Sequence, residues 1–327
     1  MPQGAPESPL IFTMVADMVL RRLFGRWKAR GEGWTIDGVW VCCVCYADDI
    51  ILIARSAAAL ARMCNDLITE FKLVGLGVGA EKTHWTSTPP QPGAALLIDG
   101  CSVKWEPSLV YVGTVIDMTG SAGPALAYRM AAGARKLEQW RDILLAKWLP
   151  LRRRAALAER VVWSAVLWCA QTWHTTAAQR SKLDSWGGRV FARIQGCRRG
   201  ALEDIGAWWR GRHRRGHELQ RRFGMAPLSS RCLHIAWTWG GHVARMGPSH
   251  WLASLVRSRS IQWWRWRQAR HHDKWTGVHP RRFKASRWES QLSDIMGDGC
   301  AELSSDNSGW WLAAQDRQAW RATGLRL

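Results

Sequence analysis

The chain has 327 residues, 47% hydrophobic and 22% charged, which reads as globular rather than disordered and allows a core spread over two or three modest domains. Its 46 Lys and Arg against 26 Asp and Glu give a net charge of +20, and nine cysteines, an odd number, do not read as a disulfide framework. With no basic-then-apolar leader and no apolar run near the ~20 residues of a membrane helix, a soluble protein of a reducing intracellular compartment is expected, nucleus and cytoplasm fitting alike.

The charge is uneven. Residues 1–120 hold 10 basic and 12 acidic residues, residues 121–290 hold 33 and 9, and residues 291–327 hold 3 and 5. A near-neutral front and a basic middle separate chemistry from polyanion grip. In chain order, Ser8 as N-cap and Pro9 as first helical residue open a helix, with Ile11, Met14, Val15, Met18 and Arg22 at helical spacing to about Leu23. After a turn region from Gly31 to Gly38, the apolar run Val39 to Tyr46 predicts a buried strand, with Cys42, Cys43 and Cys45 in the core. Ala47-Asp48-Asp49 interrupts it and Ile50 to Ala54 resumes, which predicts a tight hairpin with two carboxylates at its tip.

Ser56 is expected to cap a helix whose apolar positions are Leu60, Met63, Cys64, Leu67, Ile68 and Phe71, ended by Gly75, Gly77 and Gly79. Short strands are expected at Ala95–Ile98, Ser102–Trp105 and Val110–Ile116, with a domain boundary at Gly120 to Pro124. Beyond it the pattern is helical: 125–146, 151–173, 182–195, near 203–222 and 250–270, and Trp310 to Arg321, with Pro227, Pro248 and Pro280 as breaks. Sixteen of the 24 tryptophans fall in 121–290, and most must be core because only six Phe and three Tyr share that work.

Adjacent aspartates at a hairpin tip suit phosphoryl transfer, in which two divalent metals stabilise the attacking and leaving oxygens. Mg²⁺ takes hard oxygen ligands, so carboxylates on rigid backbone are its natural holders. A solvated Asp-Asp turn is the plain alternative. The wider pattern favours chemistry. Gln3-Gly4-Ala5-Pro6-Glu7-Ser8-Pro9 followed by Leu10-Ile11-Phe12, then Tyr46-Ala47-Asp48-Asp49, Gly75-Leu76 with Glu81-Lys82-Thr83, and Tyr111-Val112-Gly113 stand in one order along the chain. They resemble the successive motifs of reverse transcriptases. Farther on, Arg189 to Gly196, Gly241-His242-Val243-Ala244-Arg245-Met246, Arg287-Trp288-Glu289 and Ala314 to Trp320 are similar to downstream stretches of non-LTR (LINE-type) retrotransposon enzymes. A group II intron maturase is the weaker relative, disfavoured by those last motifs.

The resemblance implies an α+β fold: a partial right-hand polymerase palm over 1–120, a helical thumb over 121–200 and a basic, Trp-rich helical region over 201–327. It implies RNA-directed DNA synthesis on an RNA template and DNA primer, with deoxynucleoside triphosphates and Mg²⁺. Asp48 would be the main metal ligand, with Asp49 beside it. Tyr46 would lie near the template–primer minor groove, and Gln3, Gly4, Pro6 and Ser8 near the incoming nucleotide and template base. Tyr111 and Gly113 would form the primer grip. Lys82 would donate a proton to the leaving pyrophosphate, an ordinary solvated lysine being the alternative.

The family's first metal-binding aspartate lies upstream of the Gln-Gly motif, and this chain starts two residues before Gln3. Asp17 and Asp37 are not expected to replace it. The two-metal site is therefore expected to be incomplete and the activity of this chain alone to be slight, with a non-catalytic nucleic-acid-binding remnant as the rival reading. An exposed apolar edge beside the Tyr46 hairpin would follow. The basic middle would track phosphates through Arg152, Arg153 and Arg154, through Arg210, Arg212, Arg214 and Arg215, and through Arg265, Arg267 and Arg270. Trp263, Trp264 and Trp266 interleave with the last cluster as a stacking platform or as core. Cys232 with His234, His242 with His250, and His271-His272-Asp273 lack zinc spacing and read as structural.

Overall fold

The computed structural model describes residues 6–36, 38–196, 204–247, 250–256, 288, 291–292, 295, 309–325 and 327. It is an α+β protein that divides into two compact units, Met1–Gly120 and Ser121–Leu327.

Among its described residues the first unit has two α-helices, a 3-10 turn and four antiparallel hairpins. Helix α1, Ser8–Ala29, runs past the expected end because Leu23 and Trp27 continue its buried stripe. Ser8 lies inside it. The N-cap is Glu7, with no side-chain cap, and Pro9 is tolerated in the first turn. The buried face also differs from the expected one: Ala16, Val19, Leu20, Leu23 and Trp27 are buried, whereas Leu10, Ile11, Met14 and Met18 are exposed. The apolar residues of the first turns thus make two stripes, and only one meets the core.

Strand β1 (Trp34–Ile36) pairs with β2 (Val39–Val41), and β3 (Cys43–Tyr46) pairs with β4 (Asp49–Leu52). The single strand expected from Val39 to Tyr46 is therefore two, changing partner at the buried Cys42. Helix α2, Ala57–Leu73, is capped by Ser56, whose Oγ accepts from the Ala59 N–H at 3.2 Å. The helices and the first two hairpins share a core of Val19, Leu23, Trp27, Cys42, Met63 and Phe71. Polar contacts clamp α1 to α2: Arg26 donates to Glu70 at 2.7 Å and the Trp27 indole donates to Asp66 at 3.0 Å. Buried Glu32 accepts from Arg62 at 2.9 Å.

The third hairpin, β5 (Ala95–Ile98) with β6 (Cys101–Lys104), packs on the other side of α2 through Ile68, Leu96, Ile98 and Val103. Its two-residue turn, Asp99-Gly100, has positive φ at both residues, the geometry that a twisted hairpin requires. The stretch expected as one strand, Val110–Ile116, is a fourth hairpin, β7 (Ser108–Tyr111) with β8 (Thr114–Asp117).

The second unit is helical among its described residues. Helices α3 (Gly123–Gln139), α4 (Arg141–Leu144) and α5 (Leu151–Ala158) come first. The helix expected to run on to Trp173 instead widens into a π turn at Glu159–Trp163, continues as α6 (Ser164–Val166) and ends at its C-cap Leu167, before Cys169, whose φ is +61°, leads into a 3-10 turn at Ala170–Thr172. Helix α7, Ala177–Gln195, starts on a Thr176/Gln179 capping box and ends at Gly196 with φ +83°. Helix α8, Ile205–Arg222, crosses it where a Cβ on Gly216 would fall 2.0 Å from the Gly188 carbonyl oxygen, so only glycine permits this approach.

Helix α9, Leu228–Ala244, is absent from the expected pattern because its Trp, His and Gly residues are poor helix formers and tertiary packing supplies the stability. The terminal helix expected from Trp310 to Arg321 is two, α10 (Gly309–Ala313) and α11 (Arg317–Gly324), broken where Asp316 caps the second by accepting from the Gln318 and Ala319 N–H groups. Of the region expected helical near 250–270, residues 251–256 are helical and residues 257–270 lie outside the described residues.

Two of the downstream motifs pack against each other. Trp237 of α9 and Trp320 of α11 stack with ring centroids 3.6 Å apart and planes 7° from parallel. Each indole donates to the other's carbonyl, at 2.8 and 3.0 Å. Gly241 lies under Trp320 and Gly324 under Trp237, where a Cβ would clash. Arg245 donates to the Ala314 carbonyl at 2.6 Å and Gln315 to the Ala244 carbonyl at 2.9 Å.

Candidate active site

The acidic turn is built by the register of β3 and β4. Tyr46 pairs with Asp49, so the loop is only Ala47 and Asp48, and Asp49 already belongs to the returning strand. Ala47 takes φ +52°, the left-handed conformation that primed two-residue turns demand of their first residue. Strand alternation puts Cys43, Cys45, Ile50 and Leu52 on one face and Val44, Tyr46, Asp49 and Ile51 on the other. Cys43, Ile50 and Leu52 pack on the core, so Tyr46 and Asp49 belong to the opposite face. Tyr46, Ala47, Asp48 and Asp49 are all exposed.

Cys45, expected in the core, is exposed at the hairpin's end, with its Sγ 3.7 Å from that of Cys43. The correction follows from where the strand is: its last two residues project beyond the helices that bury its first. Hydrogen bonding with Cys42 pushes the Cys43 thiol up to about 12, and hydrogen bonding with Cys43 pushes Cys45 higher still.

The fourth hairpin brings its own turn near the first. Tyr111 pairs with Thr114, leaving Val112 (φ +46°) and Gly113 (φ +72°) as a two-residue turn with both residues left-handed. For a β-branched valine this conformation is an outlier. The Tyr111 hydroxyl is buried and has no hydrogen-bond partner among the described residues. Burial raises its pKa, and the negative charge of Asp49 raises it further, which sets Tyr111 within electrostatic reach of the acidic turn. Two tips, each strained at one non-glycine residue, thus lie in each other's field.

Pro6 is exposed and Ser8 is half-buried at the start of α1, while Gln3 and Gly4 lie outside the described residues. Lys82 stands exposed on the 3-10 turn Ala80–Lys82, a segment anchored to the third hairpin: Trp85 bridges Trp105, and the Glu106 N–H donates to the Trp85 carbonyl at 3.0 Å. The structure therefore brings together Tyr46, Asp48, Asp49 and Tyr111, and fixes Lys82 to another hairpin.

The arginines of the second unit divide. Arg152 and Arg153 are exposed on α5, but Arg154 is buried and donates to the Leu149 carbonyl at 3.0 Å and the Ile194 carbonyl at 2.6 Å. Its expected place on a phosphate track is corrected: one turn of helix points it inward, where it ties α5 to α7. On α8, Arg210 and Arg214 are exposed, Arg215 is half-buried, and the Arg212 guanidinium lies 5.1 and 5.3 Å from the Trp208 and Trp209 rings. Arg265, Arg267, Arg270, Trp263, Trp264 and Trp266 lie outside the described residues, as do His271, His272 and Asp273.

Residues 1–116 match the family model described as reverse transcriptase (RNA-dependent DNA polymerase). No curated protein and no solved structure matches the sequence. The family match covers the first unit almost to its end, including both hairpin tips, and it supports a reverse transcriptase. That family generally uses Mg²⁺ with a nucleic-acid template and primer and deoxynucleotides. Asp48 and Asp49 suit a hard cation in donor type and exposure, and Mg²⁺ is commonly held by one or two carboxylates plus substrate phosphates. Among the described residues, no group of three or more His, Cys, Asp and Glu could hold a metal ion, and no helix is long and apolar enough to cross a membrane.

Proposed function

We propose that the protein is an RNA-directed DNA polymerase of a non-LTR retrotransposon, with a partial palm in residues 1–120, a thumb in 121–200 and a basic C-terminal region in 201–327. The observation that carries the reading is the exposed acidic turn Tyr46–Asp49 at the tip of a hairpin inside the family-matched segment. Asp48 and Asp49 would hold Mg²⁺, which when bound supplies charge stabilisation at the transferring phosphoryl group. Tyr46, on Asp49's face, would meet the primer–template minor groove, and Tyr111 with Gly113 would set the primer end. Gln3, Gly4, Pro6 and Ser8 would contact the incoming nucleotide, and Lys82 would reach the triphosphate by movement of its exposed side chain. Arg152, Arg153, Arg214 and Arg215 would grip phosphates, joined by Arg265 and Arg267. Two carboxylates are fewer than a two-metal site uses, so full activity needs a further carboxylate from another segment or chain.

A second reading, a nucleic-acid-binding protein without catalysis, is favoured by that same count and by a second unit with 36 basic and 14 acidic residues. Primer extension on an RNA template with Mg²⁺, alongside filter binding of the same template–primer, separates the two. Binding with weak extension that Asp48→Ala abolishes supports the polymerase. Binding with no extension, even when an upstream palm segment is supplied in trans, leaves the second reading. Failure to bind at all overturns both.

A further inference from the structure

The interrupted helix of the second unit borders an open groove of about 500 Å³, within the range of small-ligand sites. It opens between the π turn at Glu159–Trp163 and the left-handed Cys169, with Arg231 and Ile235 of α9 on the far side. Both interruptions are uncommon in a helix. Single π turns occur often at functional sites, and a non-glycine residue at φ +61° is kept only where its surroundings hold it.

The lining has two characters. Trp163 is 1% exposed and braced by Trp186 and Phe191, with ring centroids 5.7 and 5.1 Å away, which makes the inner wall rigid. Trp168 is 51% exposed, so a large aromatic face borders the opening. Arg160 is exposed at the rim, and Glu159 is fixed by an ion pair with Arg231. An aromatic surface, an oriented carboxylate able to accept from ring N–H or amino groups, and an exposed cation suit a planar nitrogen heterocycle joined to a phosphate.

We infer that this pocket takes one base from a single-stranded nucleic acid, stacked on Trp168, with Arg160 meeting the adjacent phosphate. The inference rests on the polyanion-binding reading of the second unit, whose excess of basic residues supplies the strand. Stacking on aromatic side chains is sequence-tolerant because every base has a π face, so the site would hold a strand in place without reading it.

The test uses the full chain and two short labelled single strands with the same backbone, one bearing bases and one abasic, read by fluorescence anisotropy. Trp168→Ala should weaken binding of the base-bearing strand about tenfold and leave the abasic strand unchanged, and Trp168→Phe should restore most of the affinity. Equal weakening on both strands, or none on either, would overturn the pocket while leaving polyanion binding intact. Displacement of the strand by a free mononucleotide at comparable concentration would also overturn it. If the parent chain binds neither strand, the polyanion reading itself fails.

Discussion

The β3–β4 turn of the first unit and the α9–α11 crossing of the helical unit use family-like motifs in opposite ways. At the turn, Tyr46, Asp48 and Asp49 are exposed, and a left-handed alanine holds them out from the core. At the crossing, the motif residues Gly241, Arg245, Gln315 and Trp320 are spent on one another, with two indoles stacked over two glycines. One motif presents side chains to a partner, and the other builds the scaffold. Sequence resemblance alone does not distinguish these uses, whereas exposure does.

The strongest way to break the comparison is to remove Trp320. The buried ring stacks on Trp237, and its indole satisfies the Trp237 carbonyl, so Trp320→Ala leaves both a cavity and an unpaired acceptor. The expected destabilisation is about 4 kcal/mol, in the range for buried aromatic-to-alanine changes, read by chemical denaturation. Asp48→Ala, by contrast, should change stability by less than about 0.5 kcal/mol, as surface substitutions do. A comparable destabilisation from the aspartate would refute the division into display and scaffold.

Next comes the arginine run of α5. Arg154→Ala removes the donor to the Leu149 and Ile194 carbonyls and should cost about 3 kcal/mol, with little change in the salt dependence of nucleic-acid binding. Arg152→Ala with Arg153→Ala should do the reverse: stability nearly unchanged, and a log–log salt slope shallower by roughly 1 for each phosphate no longer neutralised. Filter binding at several salt concentrations, paired with melting curves, measures both.

This run shows where sequence reading stops. Three consecutive arginines look alike in composition, and only the helix phase against α7 turns the third inward. The acidic hairpin is legible because alternation of apolar residues around Asp48-Asp49 is local, and Ser56 announces α2 through its own cap. Helix α9 is not legible, since the groups it packs on, Trp320 among them, lie far along the chain. The buried stripe of α1 differs from the expected one because two apolar stripes share its first turns, and the choice between them depends on α2. Tyr111 is marked by its motif, but its nearness to Asp49 depends on two hairpins meeting, which no local pattern encodes.

A smaller effect sharpens the turn itself. A left-handed L-residue costs roughly 1–2 kcal/mol, and glycine relieves this at an entropic cost of roughly 0.5–1 kcal/mol. Ala47→Gly should therefore stabilise the first unit by about 0.5 kcal/mol, seen as a shift in the denaturation midpoint. A drop in stability would mean that the Ala47 methyl makes an interaction worth more than the strain.

The finest probe is the approach of the two tips. Tyr111 has its pKa raised by burial first and by Asp49 after it, so its neutral form is favoured in the folded chain. Its contribution to stability is full below the unfolded value of about 10 and disappears as pH rises through the higher folded value. Only three tyrosines are present, so phenolate absorbance resolves the late titration. Asp49→Asn should bring that titration down, yet leave it above the ordinary phenol value because burial, the larger cause, remains. An unmoved titration would place the acidic turn outside the field of Tyr111, and the approach of the two hairpin tips would fall with it.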